Sequence, residues 1–194
     1  MTLEAELPVP IASRTATVPN LITLVRTVAA VVLGIAALVS RSPDLLLTAY
    51  ATYWIGDMLD GWSARLLGQE TRIGAVLDIL SDRACMGVLA GACLVLRPDT
   101  AAPMAVFLLQ FMVLDCLLSL AFLGWPIKSP NDFHVVDRLV YRLNWSPPAK
   151  ALNTSAVVLS MLLGWVALAL AIGLALTVLK AWSARRVLTL RDWS

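Results

Sequence analysis

The chain has 194 residues, 59% of them hydrophobic and only 14% charged, against roughly a quarter charged in an ordinary soluble domain. With a mean hydropathy of +0.80, these figures exclude a disordered chain, a coiled coil and nearly every water-soluble enzyme, and they make lipid the expected solvent. The length suits one domain, and a formal charge of +2 is too small to point to a nucleic-acid partner. Cys85, Cys93 and Cys116 fall in apolar stretches with no CxxC pair and no Cys/His cluster, so neither a disulfide framework nor a zinc site is expected.

Residues 1–19 carry Glu4 and Glu6, lack a basic start and contain Pro8, Pro10 and Pro19. This reads as a loose or interfacial leader rather than a secretory signal. Crossing roughly 30 Å of hydrocarbon takes about 20 apolar residues in a helix. Residues 21–39 qualify as a first span, and 45–66 as a second whose far end holds Asp57, Asp60 and Arg65. A third runs over 73–96 with Asp78, Asp82 and Arg83 in its first half, and a fourth over 103–124. Residues 125–149 are polar and proline-rich, a loop with a short surface helix around 133–144. No charge then occurs between Lys150 and Lys180. That stretch would measure about 44 Å as one helix, long for one span and short for two, so a turn near Gly164 and two short helices are expected.

Among the Lys and Arg residues, only Arg41 and Arg97 sit in the loops after spans one and three. Positive charge stays on the cytoplasmic side, which places the N-terminus, the acidic residues and the basic tail inside and favours an even number of spans. The expectation is an all-α integral membrane protein of the cell membrane. It is a six-transmembrane-helix bundle with a cytoplasm-facing active site, divided into a leader over 1–19, a membrane domain over 20–185 and a basic tail over 186–194.

Carboxylates inside a membrane are costly unless paired, hydrated or metal-bound, and mark function by default. Asp57 and Asp60 are three apart and share one helix face. Gly74, Asp78 and Asp82 are spaced by four and share another. The short connection between them makes the two helices antiparallel neighbours, so the acidic faces meet. Four such carboxylates repel one another, and divalent cations relieve the repulsion. An all-oxygen donor set suits two Mg²⁺ or Mn²⁺ ions. Gly61 and Gly74 leave room for a ligand near the backbone, Ala64 keeps the same face small, and Arg65 offers a planar cation for phosphate. The combination points to phosphate or diphosphate chemistry on a lipid.

The pattern D-x2-D-G-x2-A-R-x8-G-x3-D-x3-D, matched without a gap by Asp57, Asp60, Gly61, Ala64, Arg65, Gly74, Asp78 and Asp82, resembles the signature of the CDP-alcohol phosphatidyltransferases. The run from Pro19 and Asn20 through Thr23 to Arg26 is similar to the start of that family's first helix. The resemblance implies a six-helix fold, usually as a homodimer, that transfers a phosphatidyl group from CDP-diacylglycerol to an alcohol and releases CMP in phospholipid synthesis. By the same resemblance Asp57, Asp60, Asp78 and Asp82 would ligate the metals, with Asp82 also the general base. Asn20, Gly61, Ala64, Arg65 and Gly74 would bind the CDP-lipid.

For the acceptor, a phosphorylated alcohol would need cations, and the candidates are Lys128, Arg138, Arg142 and Lys150. Lys150 opens the fifth span beside Asn153 and Thr154, in a run that resembles an element of glycerol-phosphate-using members but lacks its glycine. The expected acceptor is therefore like glycerol 3-phosphate, with inositol phosphate or phosphatidylglycerol as alternatives. Asp115, in mid-span, either bonds within the bundle or lines the acceptor cavity. A divalent-cation transporter is the reading from another class. The single acidic cluster without a second copy, and Arg65 beside it, weigh against that reading.

Overall fold

The computed structural model describes residues 15–190. Most of the expected leader, and the end of the expected tail beyond residue 190, lie outside the described residues. Seven helices are used as landmarks: α1 (Val18–Ser40), α2 (Pro43–Leu66), α3 (Arg72–Leu96), α4 (Pro98–Gly124), α5 (Arg138–Asn144), α6 (147–162) and α7 (Val166–Thr189). Among the described residues, α1, α3, α4 and α7 are long and apolar enough to cross a membrane. α2 has spanning length, but Asp44, Asp57, Asp60 and Arg65 make it the more polar helix.

The boundaries follow local chemistry. Thr17, Ser42 and Thr71 cap α1, α2 and α3, each side chain accepting from the backbone N–H three residues on. Pro43 opens α2 at a position where its missing N–H is no loss. Gly68, at φ +61°, lies just past the end of α2. Two tight turns therefore fold α1, α2 and α3 into an antiparallel unit in which α1 packs on both of the others. α4 and α6 pack on α7. The expected turn near Gly164 is present, with φ +79° that only glycine adopts without strain. The helix after it is not short, however. α7 continues through Lys180 to Thr189, so residues 186–189 of the expected tail are helical.

Lys180 explains the continuation. Its side chain is 2% exposed, and Nζ donates to Asp115 Oδ1 at 2.5 Å. Arg83 Nη2 donates to Asp115 Oδ2 at 2.7 Å, and its guanidinium lies 3.8 Å from the centre of the Phe111 ring. A π-helical turn at Gln110–Asp115 interrupts α4 just where Asp115 turns inward. Asp115 thus clamps α3, α4 and α7 together, and of its two expected roles the structure supplies the bond within the bundle.

Residues 125–149 are more than a polar loop. Phe133 is fully buried between the rings of Trp125 and Trp145, at centroid distances of 5.2 and 4.7 Å. With Phe122, Val140 and Val187 it forms a second apolar core. Trp145, 6% exposed, belongs to that core. Asp137 caps α5 through the N–H groups of Leu139 and Val140, and it accepts from Arg186 Nε at 2.6 Å. This ties the segment to the end of α7.

Two stability experiments follow. D115A leaves two buried cations unpaired, a loss of about 3–5 kcal/mol, so its melting temperature in detergent should fall well below that of the unaltered protein. An unchanged melt would mean the clamp is not under load. At Asp137, burial alone would raise the carboxyl's pKa, but the Val140 amide, Arg186 and the Leu139 amide outweigh it and hold it below the usual range. A lowered folded-state value means its contribution is present above the unfolded value of about 3.9 and is lost as pH falls through the folded value. D137N should therefore melt lower at pH 7, by no more than about 1 kcal/mol for an exposed arginine partner, and converge with the unaltered protein in acid. A gap that persists undiminished to pH 2 would rule out the ion pair as its source.

Candidate active site

Asp57 and Asp60 lie near the end of α2, and Asp78 and Asp82 lie in the first half of α3, so the turn between these helices brings all four to one end of the bundle. Carboxylate oxygens of Asp57, Asp60 and Asp78 fall within 4.8 Å of one another, a grouping able to hold a metal ion. Asp82 stands outside that triplet and joins it through an arginine. The Asp60 side chain is sealed at 5% exposure, whereas Asp57 and Asp78 remain open at 43% and 41%. A ligand therefore has to approach over Asp57 and Asp78.

The organising group is Arg26 of α1. It is 3% exposed and reaches all four carboxylates. Nε donates to Asp60 Oδ2 at 2.7 Å, and Nη2 donates to Asp78 Oδ1 at 2.5 Å and to Asp82 Oδ1 at 3.2 Å. Nη2 also lies 3.3 Å from Asp57 Oδ1. Thr23, one turn earlier on the same face, donates to Asp60 Oδ2 at 2.7 Å. The arginine stem is held by neighbours. The Tyr53 ring centre is 5.5 Å from the guanidinium carbon, and Gly56 lets α1 come so close that a Cβ there would stand 2.7 Å from Arg26 Cδ.

Asn20 completes the α1 face at spacing i, i+3, i+6 with Thr23 and Arg26. Its Oδ1 fills the space beside Gly74, where a Cβ would stand 2.7 Å from it and 2.9 Å from the Thr71 hydroxyl. The room at Gly74 is thus used by the chain itself and brings Asn20 to the start of α3. Gly61 lies under Arg65, whose Nη1 would be 3.4 Å from a Cβ at 61. Arg65 is exposed and Ala64 half-buried.

The acceptor cations expected from the sequence make no ion pair with the four aspartates. Lys128, Arg138, Arg142 and Lys150 are all exposed, and Lys150 Nζ donates to Asn131 Oδ1 at 2.7 Å. Among the described residues, Arg26 and Lys180 are buried and Arg83 is largely so, its side chain 12% exposed. None of the three is a site residue expected from the sequence, although Arg26 belongs to the first-helix resemblance. The signal available in each case was a charge within an otherwise apolar helix.

Residues 16–182 match the CDP-alcohol phosphatidyltransferase family, and the chain belongs to it. Membership makes it a membrane transferase of phosphate-containing groups, with a CDP-alcohol as substrate and an alcohol as acceptor. Comparison with curated proteins and with solved structures returned no match.

The donor set fits the divalent metals on which the family generally depends. Its oxygens are hard ligands, and four carboxylates against one guanidinium leave three negative charges when all are ionised. G74A should displace Asn20 and loosen the cap of α3. A shift near 1 Å in a positioned site can cost about 100-fold, so turnover should drop by one to two orders of magnitude with little change in melting. Full activity in G74A would show that the Asn20 contact is dispensable.

Proposed function

We propose that the chain transfers the phosphatidyl group of CDP-diacylglycerol to a glycerol 3-phosphate-like alcohol, releasing CMP, as a step of phospholipid synthesis at the cytoplasmic face of the cell membrane. The observation that carries this reading is the cluster of Asp57, Asp60, Asp78 and Asp82, held on facing helices in the register of the family's motif. Two Mg²⁺ or Mn²⁺ ions bound by these carboxylates would neutralise the diphosphate and stabilise the departing CMP.

The protein's own groups divide the remaining tasks. Asp57, Asp60 and Asp78 would hold the ions. Asp82, outside the triplet but joined to it through Arg26, takes the proton of the acceptor hydroxyl as general base and keeps the role of a further metal ligand. The deprotonated acceptor oxygen then attacks the lipid-side phosphorus, forming the new phosphodiester as the bond from that phosphorus to the CMP oxygen breaks. Arg65, exposed at the end of α2, contacts phosphate. Asn20, Gly61, Ala64 and Gly74 shape the nucleotide site. Lys150, with Arg138, Arg142 and Lys128, draws a phosphorylated acceptor to the same end of the bundle. α2 and α6 complete six spans with the four apolar helices, in a homodimer with the N-terminus inside. The buried guanidinium among the carboxylates weighs against a cation pathway.

CMP release from purified protein with CDP-diacylglycerol and Mg²⁺ or Mn²⁺ tests the reading against a panel of acceptors: glycerol 3-phosphate, inositol phosphate, inositol, serine and phosphatidylglycerol. Release that depends on glycerol 3-phosphate is expected. Dependence on inositol phosphate or phosphatidylglycerol would keep the reaction and replace the acceptor, and no release with any of them would contradict the activity. D82N should lose release while retaining CDP-lipid binding, and undiminished turnover in D82N would remove Asp82 as the base.

A further inference from the structure

Four carboxylates and one arginine could be read as acids with a counter-ion. The contacts are more specific than that. An ionised carboxylate has two oxygens, each able to accept. Arg26 engages one oxygen of each: Oδ2 of Asp60, Oδ1 of Asp78, Oδ1 of Asp82 and, at 3.3 Å, Oδ1 of Asp57. The second oxygen of each is left for other partners. Two guanidinium nitrogens do this work, with Nε on the α2 residue Asp60 and Nη2 spanning both helices. A lysine, with one nitrogen, lacks that fork. The stem is also fixed, with the side chain 2% exposed, Tyr53 against the guanidinium and the α2 backbone at Gly56 pressed onto its methylenes. A group clamped in this way has little room to swing aside.

Building on the metal-centre reading above, we propose that Arg26 is the positioning residue of the metal centre, holding one oxygen of each carboxylate so that the other is available to the ions. Thr23 assists by fixing the same Asp60 oxygen that Arg26 Nε holds. Arg26 therefore acts through the aspartates rather than on substrate. Its loss is felt as scattered ligands, beyond the change in charge.

The test is Mn²⁺ affinity of the full chain in detergent, read from free Mn²⁺ by electron paramagnetic resonance, with helicity checked by circular dichroism. R26K keeps the charge and removes the fork. G56A keeps Arg26 and forces its stem to move. Partners that orient metal ligands are worth about 10–100-fold in affinity, and both variants should bind Mn²⁺ at least about tenfold more weakly. T23V keeps every charge and should give a smaller loss in the same direction. Should R26K fail to fold, G56A and T23V decide the matter. Unchanged affinity in the folded variants would make Arg26 a counter-ion only, and tighter binding would make it a competitor of the metal. Either result overturns the positioning role. Failure of the unaltered protein to take up Mn²⁺ would overturn the metal centre itself, and this role with it.

Discussion

Arg26 lies buried in an apolar bundle with its guanidinium shared among Asp57, Asp60, Asp78 and Asp82. Burying an ion costs several kcal/mol unless it is well paired, and four carboxylates converging without a cation would drive α2 and α3 apart. The guanidinium therefore links α1 to both helices, alongside the apolar core that α1 shares with them. It also limits which residues can stand nearby. Gly56 has no side chain because the arginine stem passes there. Thr23 and Asn20 occupy the same face of α1 because that face meets the acids and the start of α3.

A second buried ionic group works on the other half of the bundle. Asp115 accepts from Arg83 and Lys180 and so joins α3 and α4 to α7. Arg83 follows Asp82 directly in the chain, and the two ionic groups are therefore adjacent on α3. One helix carries acids toward α1 and a cation toward α4, and the alternation sets its rotation in the bundle. Toward the other end of the bundle the ion pair is the exposed Arg97–Asp99, within one turn of chain. Outward side chains of α1 such as Val28, Val32 and Ile35 suit lipid. The buried ion pairs that join separate helices are therefore those of Arg26 and Asp115 among the described residues.

The acidic half of this arrangement was legible in the sequence because helical register is local. Spacings of three and four put carboxylates on one face, and a short connection makes neighbours of two helices. Gly164 was legible because it stands near the middle of a charge-free stretch too long for one span. The cations were harder to read because their partners are distant in the chain. Arg26 sits near the start of α1 and Lys180 near a basic end, so each passes for an ordinary interfacial charge until Asp60 or Asp115, 34 or 65 residues away, is brought to it. The core under residues 125–149 was hidden likewise. Trp125, Phe133 and Trp145 lie too far apart to show a period, and they are set among prolines and charges.

The most direct test of the central claim is the fate of the lipid-side phosphate of CDP-diacylglycerol. With that phosphorus labelled, and the purified protein supplied with divalent metal and glycerol 3-phosphate, the label should move into a new phosphodiester lipid as CMP leaves. Both should depend on the acceptor. Recovery of the label only in unreacted substrate or in phosphatidic acid, with every acceptor offered, would contradict phosphatidyl transfer by this cluster.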